Sequence, residues 1–142
     1  MRKYCLGLIT LVLLTIETIA QKPQNYFSDP AISPDGSEIA FVSKGDIWTV
    51  PANGGAARLL IARQGYDSRP VYSPDGEYLA FTSTLTGNGD IYTYNFKSGI
   101  TKRVTFDDAP DEVSSWSPDS KYIFYATVAH DIAGMRDVYK IK

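Results

Sequence analysis

His130 is the only histidine of the 142-residue chain, and it stands beside Asp131. A histidine acting as a base needs a nucleophile within hydrogen-bond reach. The G-x-S-x-G elbow that would present a hydrolase serine is missing, so His130 reads as a solvated loop residue. Ser33, Ser73 and Ser117 each open the same short phrase; a catalytic serine has no reason to occur three times. Asp107, Asp108, Asp111 and Glu112 crowd one stretch and could offer oxygens to a hard cation. Their spacing matches no EF-hand-like loop, and a solvated acidic connection is expected. Thr86-Gly87-Asn88-Gly89-Asp90 has glycines suited to a phosphate but lacks the lysine and following helix of a P-loop, so it reads as a hairpin tip. No catalytic residue, metal site or cofactor is expected.

Repetition explains these residues better than chemistry does. A-I-S-P-D-G-S-E-I-A-F-V-S begins at Ala31, V-Y-S-P-D-G-E-Y-L-A-F-T-S at Val71, and S-W-S-P-D-S-K-Y-I-F-Y-A-T at Ser115. The three serines are 40 and 44 residues apart. A second landmark follows in each copy: Asp46-Ile47-Trp48, Asp90-Ile91-Tyr92 and Asp137-Val138-Tyr139.

Pro34-Asp35-Gly36 and Pro74-Asp75-Gly76 have turn chemistry: proline presets φ, aspartate can bond nearby backbone, and glycine accepts φ above zero. In Pro118-Asp119-Ser120 a serine replaces the glycine, so that turn must change geometry or accept strain. A β-prone run follows each turn, at 38–43, 78–83 and 122–127. The Asp-Ile-Trp/Tyr landmark starts the next strand, after a connection of varying length. Asn53-Gly54-Gly55 and Lys97-Ser98-Gly99 then turn the chain into short strands at 57–61 and 101–105.

The unit is a four-stranded antiparallel meander of about 40–45 residues, the blade of a β-propeller. The fold class is therefore all-β, a partial propeller with blades at about 26–61, 67–105 and 113–142, two complete and most of a third. Aromatics recur at matching places, Phe41, Trp48, Phe81, Tyr92, Trp116, Tyr125 and Tyr139, and are expected to pack between blades. Because closure takes typically 4–8 blades, the chain is expected to be a fragment of a longer protein, a truncated reading frame or a subunit of an assembly.

Met1-Arg2-Lys3 precedes an almost uncharged run from Tyr4 to Ile16, and Thr18 and Ala20 have the small side chains a signal peptidase accepts. Residues 1–20 are expected to be a signal peptide cleaved after Ala20, delivering the chain to the periplasm or the exterior. The run is shorter than the roughly 20 residues that span a bilayer, so no stable membrane anchor is expected after cleavage. Cys5, the only cysteine, would leave with the signal. Losing Arg2, Lys3 and Glu17 leaves 12 basic and 15 acidic residues, a net charge of −3, and with no basic patch nucleic acid is not an expected partner.

The paired S-P-D-G and D-[IV]-[WY] landmarks resemble the repeat in the propellers of TolB, tricorn protease and prolyl oligopeptidase relatives. The wording Y-F-S-D-P-A-I-S-P-D-G-S-E-I-A-F-V-S-K-G-D-I-W-T-V-P, with R-V-T-F-D-D and D-I-A-G-M-R-D-V-Y, is similar to the N-terminal propeller of exported tricorn-like peptidases. That resemblance covers Tyr26 to Lys142. It implies a non-catalytic module that positions or filters peptides for a serine-peptidase domain of the tail-specific type, which these residues do not include. The other readings are a TolB-like periplasmic scaffold and the propeller of a prolyl oligopeptidase relative. In each, the implied partners are peptide or protein segments and further blades.

Overall fold

A computed structural model describes residues 27–129 and 133–142. The expected signal peptide at 1–20 and His130 with Asp131 lie outside the described residues.

Eleven strands are described, arranged as three antiparallel sheets. The first sheet runs β1 (Ser28–Ile32), β2 (Glu38–Ser43), β3 (Asp46–Pro51) and β4 (Arg58–Ile61) in simple order; the second repeats it with β5 (Asp67–Tyr72), β6 (Tyr78–Ser83), β7 (Asp90–Asn95) and β8 (Thr101–Arg103). The third sheet contains β9 (Glu112–Trp116), β10 (Ile123–Thr127) and β11 (Asp137–Ile141). The described chain is all-β, two four-stranded blades and three strands of another, as the repeat requires. No described helix is long and apolar enough to cross a membrane.

The first strands β1, β5 and β9 lie side by side, so they stand nearest a common axis. Each carries a bulge. The register slips between Ser28 and Ala31, between Ser68 and Val71, and opposite Phe124/Tyr125. At the first two bulges Asp29 and Arg69 adopt positive φ, 50° and 52°. An extra residue at a bulge bends a strand and sharpens its twist.

Strand alternation gives every sheet two unlike faces. Ala40, Val42, Ile47 and Ile61 of the first sheet pack on Leu79, Phe81 and Tyr92 of the second. Ala80 and Ile91, from the other face of the second sheet, pack on Val113, Ile123 and Tyr125 of the third. Phe81, Tyr92, Trp116, Tyr125 and Tyr139 thus sit in the two seams as expected. Phe41 and Trp48 do not. They are half-buried on the face of the first sheet that points away from the second.

Candidate functional site

The repeat landmarks form three copies of one hydrogen-bonded knot. Ser33 Oγ donates to Asp35 Oδ1 at 2.6 Å and accepts from the Glu38 N–H at 2.9 Å, while the Ser37 N–H donates to Asp35 Oδ1 at 3.0 Å. Ser73, Asp75, Glu77 and Tyr78 repeat this at 2.5, 3.0 and 2.9 Å. Ser117, Asp119, Lys121 and Tyr122 do so at 2.6, 3.2 and 2.9 Å. All three serines are buried. Hydroxyl and amide donors hold the Asp35 carboxyl down at about 2, and lower Asp75 and Asp119 by the same contacts. Gly36 and Gly76 take φ of 72° and 73°, and Ser120 adopts 58° in the same place, so the third turn keeps its geometry with a non-glycine residue in the left-handed region.

The second landmark is less uniform. Asp90 is buried, receives the Thr86 hydroxyl and pairs with Arg103 at 2.8 Å. Asp46 is half-buried and Asp137 exposed.

The seams contain two buried carboxyls: Asp67, which sequence reasoning missed, and Asp111, which it placed in a solvated acidic connection. Asp67 and Asp111 each stand six residues before a knot serine, and their N–H groups donate to Gly45 O at 2.8 Å and Gly89 O at 2.9 Å of the preceding sheet's hairpin. The only sequence signal was that common spacing. Burial pushes both pKa values up. At Asp67 the rise is opposed by Ser83 and by Arg63, whose guanidinium lies 3.4 Å away and stacks over the Tyr92 and Phe81 rings at 4.6 and 5.1 Å. Asp111 is fully buried; Thr105 and Thr127 oppose its rise, but neither carboxyl oxygen has a well-formed hydrogen bond among the described residues.

The acidic stretch is therefore split up. Asp107 and Asp108 are exposed, and Asp107 Oδ1 accepts the Ala109 N–H at 3.1 Å. Asp111 departs from the expected solvated connection because its backbone is tied to the neighbouring hairpin, which draws the side chain inside. Glu112 bridges Arg69 at 3.1 Å and Arg136 at 2.6 Å, and these bonds lower its pKa. Among the described residues no three metal-binding side chains gather. The 86–90 stretch forms an exposed hairpin tip, apart from buried Gly89 and Asp90, with Asn88 donating to Asp108 O.

Two clefts open between sheets on the side of the knots. The cleft between the first and second sheets holds about 390 Å³ and is lined by Asp35, Glu38 and Asp75 beside the stacked rings of Tyr72 and Phe96. Glu38 is already engaged there by Arg58 at 2.7 Å and by the Tyr72 hydroxyl at 3.0 Å. The cleft between the second and third sheets, about 360 Å³, is lined by Lys102, Arg103 and Lys121 beside Tyr78, Phe106 and Trp116. Trp116 donates to Val71 O at 3.0 Å across this seam. The two clefts thus combine aromatic walls with opposite charge.

Comparison with known proteins agrees with this geometry. A search of curated protein sequences finds no match. Among solved structures, TolB from Acinetobacter baumannii is 28% identical with a TM-score of 0.70, over 80% of this chain and 29% of that one. A putative TolB from Agrobacterium tumefaciens is 26% identical with a TM-score of 0.69, over 80% and 42%. The tricorn protease is 25% identical with a TM-score of 0.71, over 83% and 12%. The chain spans less than half of each. The model of the tricorn protease N-terminal β-propeller domain matches residues 24–142, and the chain, with its knotted blades and paired seams, belongs to that family.

Proposed function

We propose that this chain is a non-catalytic propeller module of an exported tricorn-like peptidase, positioning or filtering peptide substrates for a peptidase domain. The observation that carries the reading is the match to the tricorn N-terminal propeller across residues 24–142. The aromatic clefts beside the knots supply surfaces of the right chemistry, with acidic groups in one and basic groups in the other. On this reading the residues at 1–20 direct export to the periplasm or beyond, and the module's partners are peptide segments and further blades.

The test is titration of the whole chain with fluorescent unstructured peptides of acidic, basic and neutral composition. Saturable binding of charged peptides, lost on Trp116→Ala in the basic cleft and on Tyr72→Ala in the acidic one, is the expected result. Absence of saturable binding by any peptide class would remove the peptide-positioning role. A TolB-like interaction scaffold is the second reading, favoured by the 28% identity to TolB from Acinetobacter baumannii. It expects capture of folded protein partners rather than unstructured peptides.

A further inference from the structure

Four aspartate or asparagine residues are followed directly by glycine: Asp35-Gly36, Asn53-Gly54, Asp75-Gly76 and Asn88-Gly89. Such pairs are chemically weak, because a glycine nitrogen, with no Cβ beside it, can attack the side-chain carbonyl carbon of the residue before it. The fold shields three of them. In the first two knots the Asp35 and Asp75 carboxyls are held by serine hydroxyls and backbone N–H groups, and their lowered pKa values keep them ionised and poor targets for a nucleophile. Asn88 donates its side-chain N–H to Asp108 O, and the following Gly89 is buried, its carbonyl accepting the Asp111 N–H at 2.9 Å across the second seam. Asn53 lies on the exposed turn between β3 and β4, and its side chain makes no hydrogen bond among the described residues. A Cβ on Gly54 would meet nothing within 4 Å, and a single surface bond, from the Gly54 N–H to Pro51 O at 2.9 Å, holds the attacking nitrogen.

We infer that Asn53 is a site of non-enzymatic deamidation and that the folded chain protects Asn88 from the same reaction. The Gly54 nitrogen attacks Asn53 Cγ. A new C–N bond forms as the Cγ–Nδ2 bond breaks, and the side-chain nitrogen leaves as ammonia, carrying off the proton of the Gly54 amide. Water then opens the resulting succinimide ring. Opening at Cγ leaves an aspartate at this position; opening at the backbone carbonyl leaves an isoaspartate, whose main chain runs through the side chain and is longer by one carbon. Either product adds a negative charge to a turn that is tied to the first knot by the Ala52 N–H, which donates to Ser37 O at 2.8 Å. The inference does not depend on the peptide-positioning role.

Storage of the whole chain at mildly alkaline pH, folded and in urea, followed by peptide mapping with mass spectrometry, tests it. In the folded chain the peptide bearing Asn53 is expected to gain the mass difference between an amide and an acid, and to accept a methyl group from an isoaspartate carboxyl methyltransferase. Asn88 should lag behind it by about tenfold or more, the factor that one net hydrogen bond supplies. In urea, where both side chains are free, the two should react at similar rates. Asn53→Gln, whose longer side chain closes its ring far more slowly, should remove the modified species and leave the urea midpoint unchanged. Equal rates at Asn53 and Asn88 in the folded chain, a faster reaction at Asn88, or an Asn53 peptide that stays intact when folded and reacts only in urea would each overturn the inference.

Discussion

Asp67 and Asp111 occupy the same place in successive seams, bond the same hairpin carbonyl and lie equally deep, yet their surroundings answer the burial differently. At the first seam Arg63 reaches back to the carboxyl and covers two aromatic rings on the way. At the second seam the corresponding residue is Asp107, an acid; the Thr105 and Thr127 hydroxyls favour the charged carboxyl, while the charges of Asp107 and Asp90 add to burial in opposing it. The backbone position is inherited from the repeat, whereas the charge that accompanies it is chosen separately in each copy. A buried carboxyl with a cation beside it can remain ionised; one without is driven toward its neutral form.

The largest effect that would sharpen this contrast is expected from Arg63→Ala. It strands the Asp67 carboxyl and uncovers Phe81 and Tyr92, and should cost about 3 kcal/mol in urea unfolding, in the range for breaking a buried pair. An effect below about 1 kcal/mol would mean that the pair contributes no more than a surface one.

Asp111→Asn comes next. A raised folded-state pKa adds stability that is present at low pH and lost as pH rises through that value. The wild type should therefore lose stability on the alkaline side of the ordinary carboxyl range, and the variant should not. At neutral pH the variant should be more stable by about 1 kcal/mol, the scale of an unmet buried hydrogen bond, read from unfolding midpoints at mildly acidic and neutral pH. Asp35, Asp75 and Asp119 carry the opposite sign: their lowered pKa values stabilise above the ordinary range, and that contribution disappears as pH falls, for Asp35 toward about 2. Acid unfolding should survive Asp111→Asn unchanged.

The smallest effect separates two equivalent turns. Gly76→Ala forces a side chain into φ of 73° and should cost about 1 kcal/mol. Ser120→Gly relieves the same conformation but removes the hydroxyl that accepts the Asp75 N–H at 3.1 Å across the seam. Gain and loss are each about 1 kcal/mol, and the net change should stay within about 0.5 kcal/mol.

The strands were legible because proline, glycine and aspartate punctuate them: 38–43 and 78–83 coincide with β2 and β6. The knots were half legible. Asp35 and its equivalents show turn chemistry in their residue type, but a buried serine hydroxyl bonding both the aspartate and the next strand is a matter of three-dimensional closure. Asp67 and Asp111 look like loop acids, because nothing local in the chain announces that a neighbouring hairpin will pull them under. The recurrence of the aromatics was visible, but the direction each face points depends on the order in which sheets stack, and Phe41 and Trp48 face away from the second sheet.

In each knot the serine and aspartate bond only to residues within five positions of the serine, apart from the Ser120 bridge. A closure that short loses little loop entropy, and contacts between near neighbours in sequence are the ones that form fastest. Each hairpin can therefore nucleate without waiting for the others, and the slow step of folding falls to the docking of one finished leaf on the next.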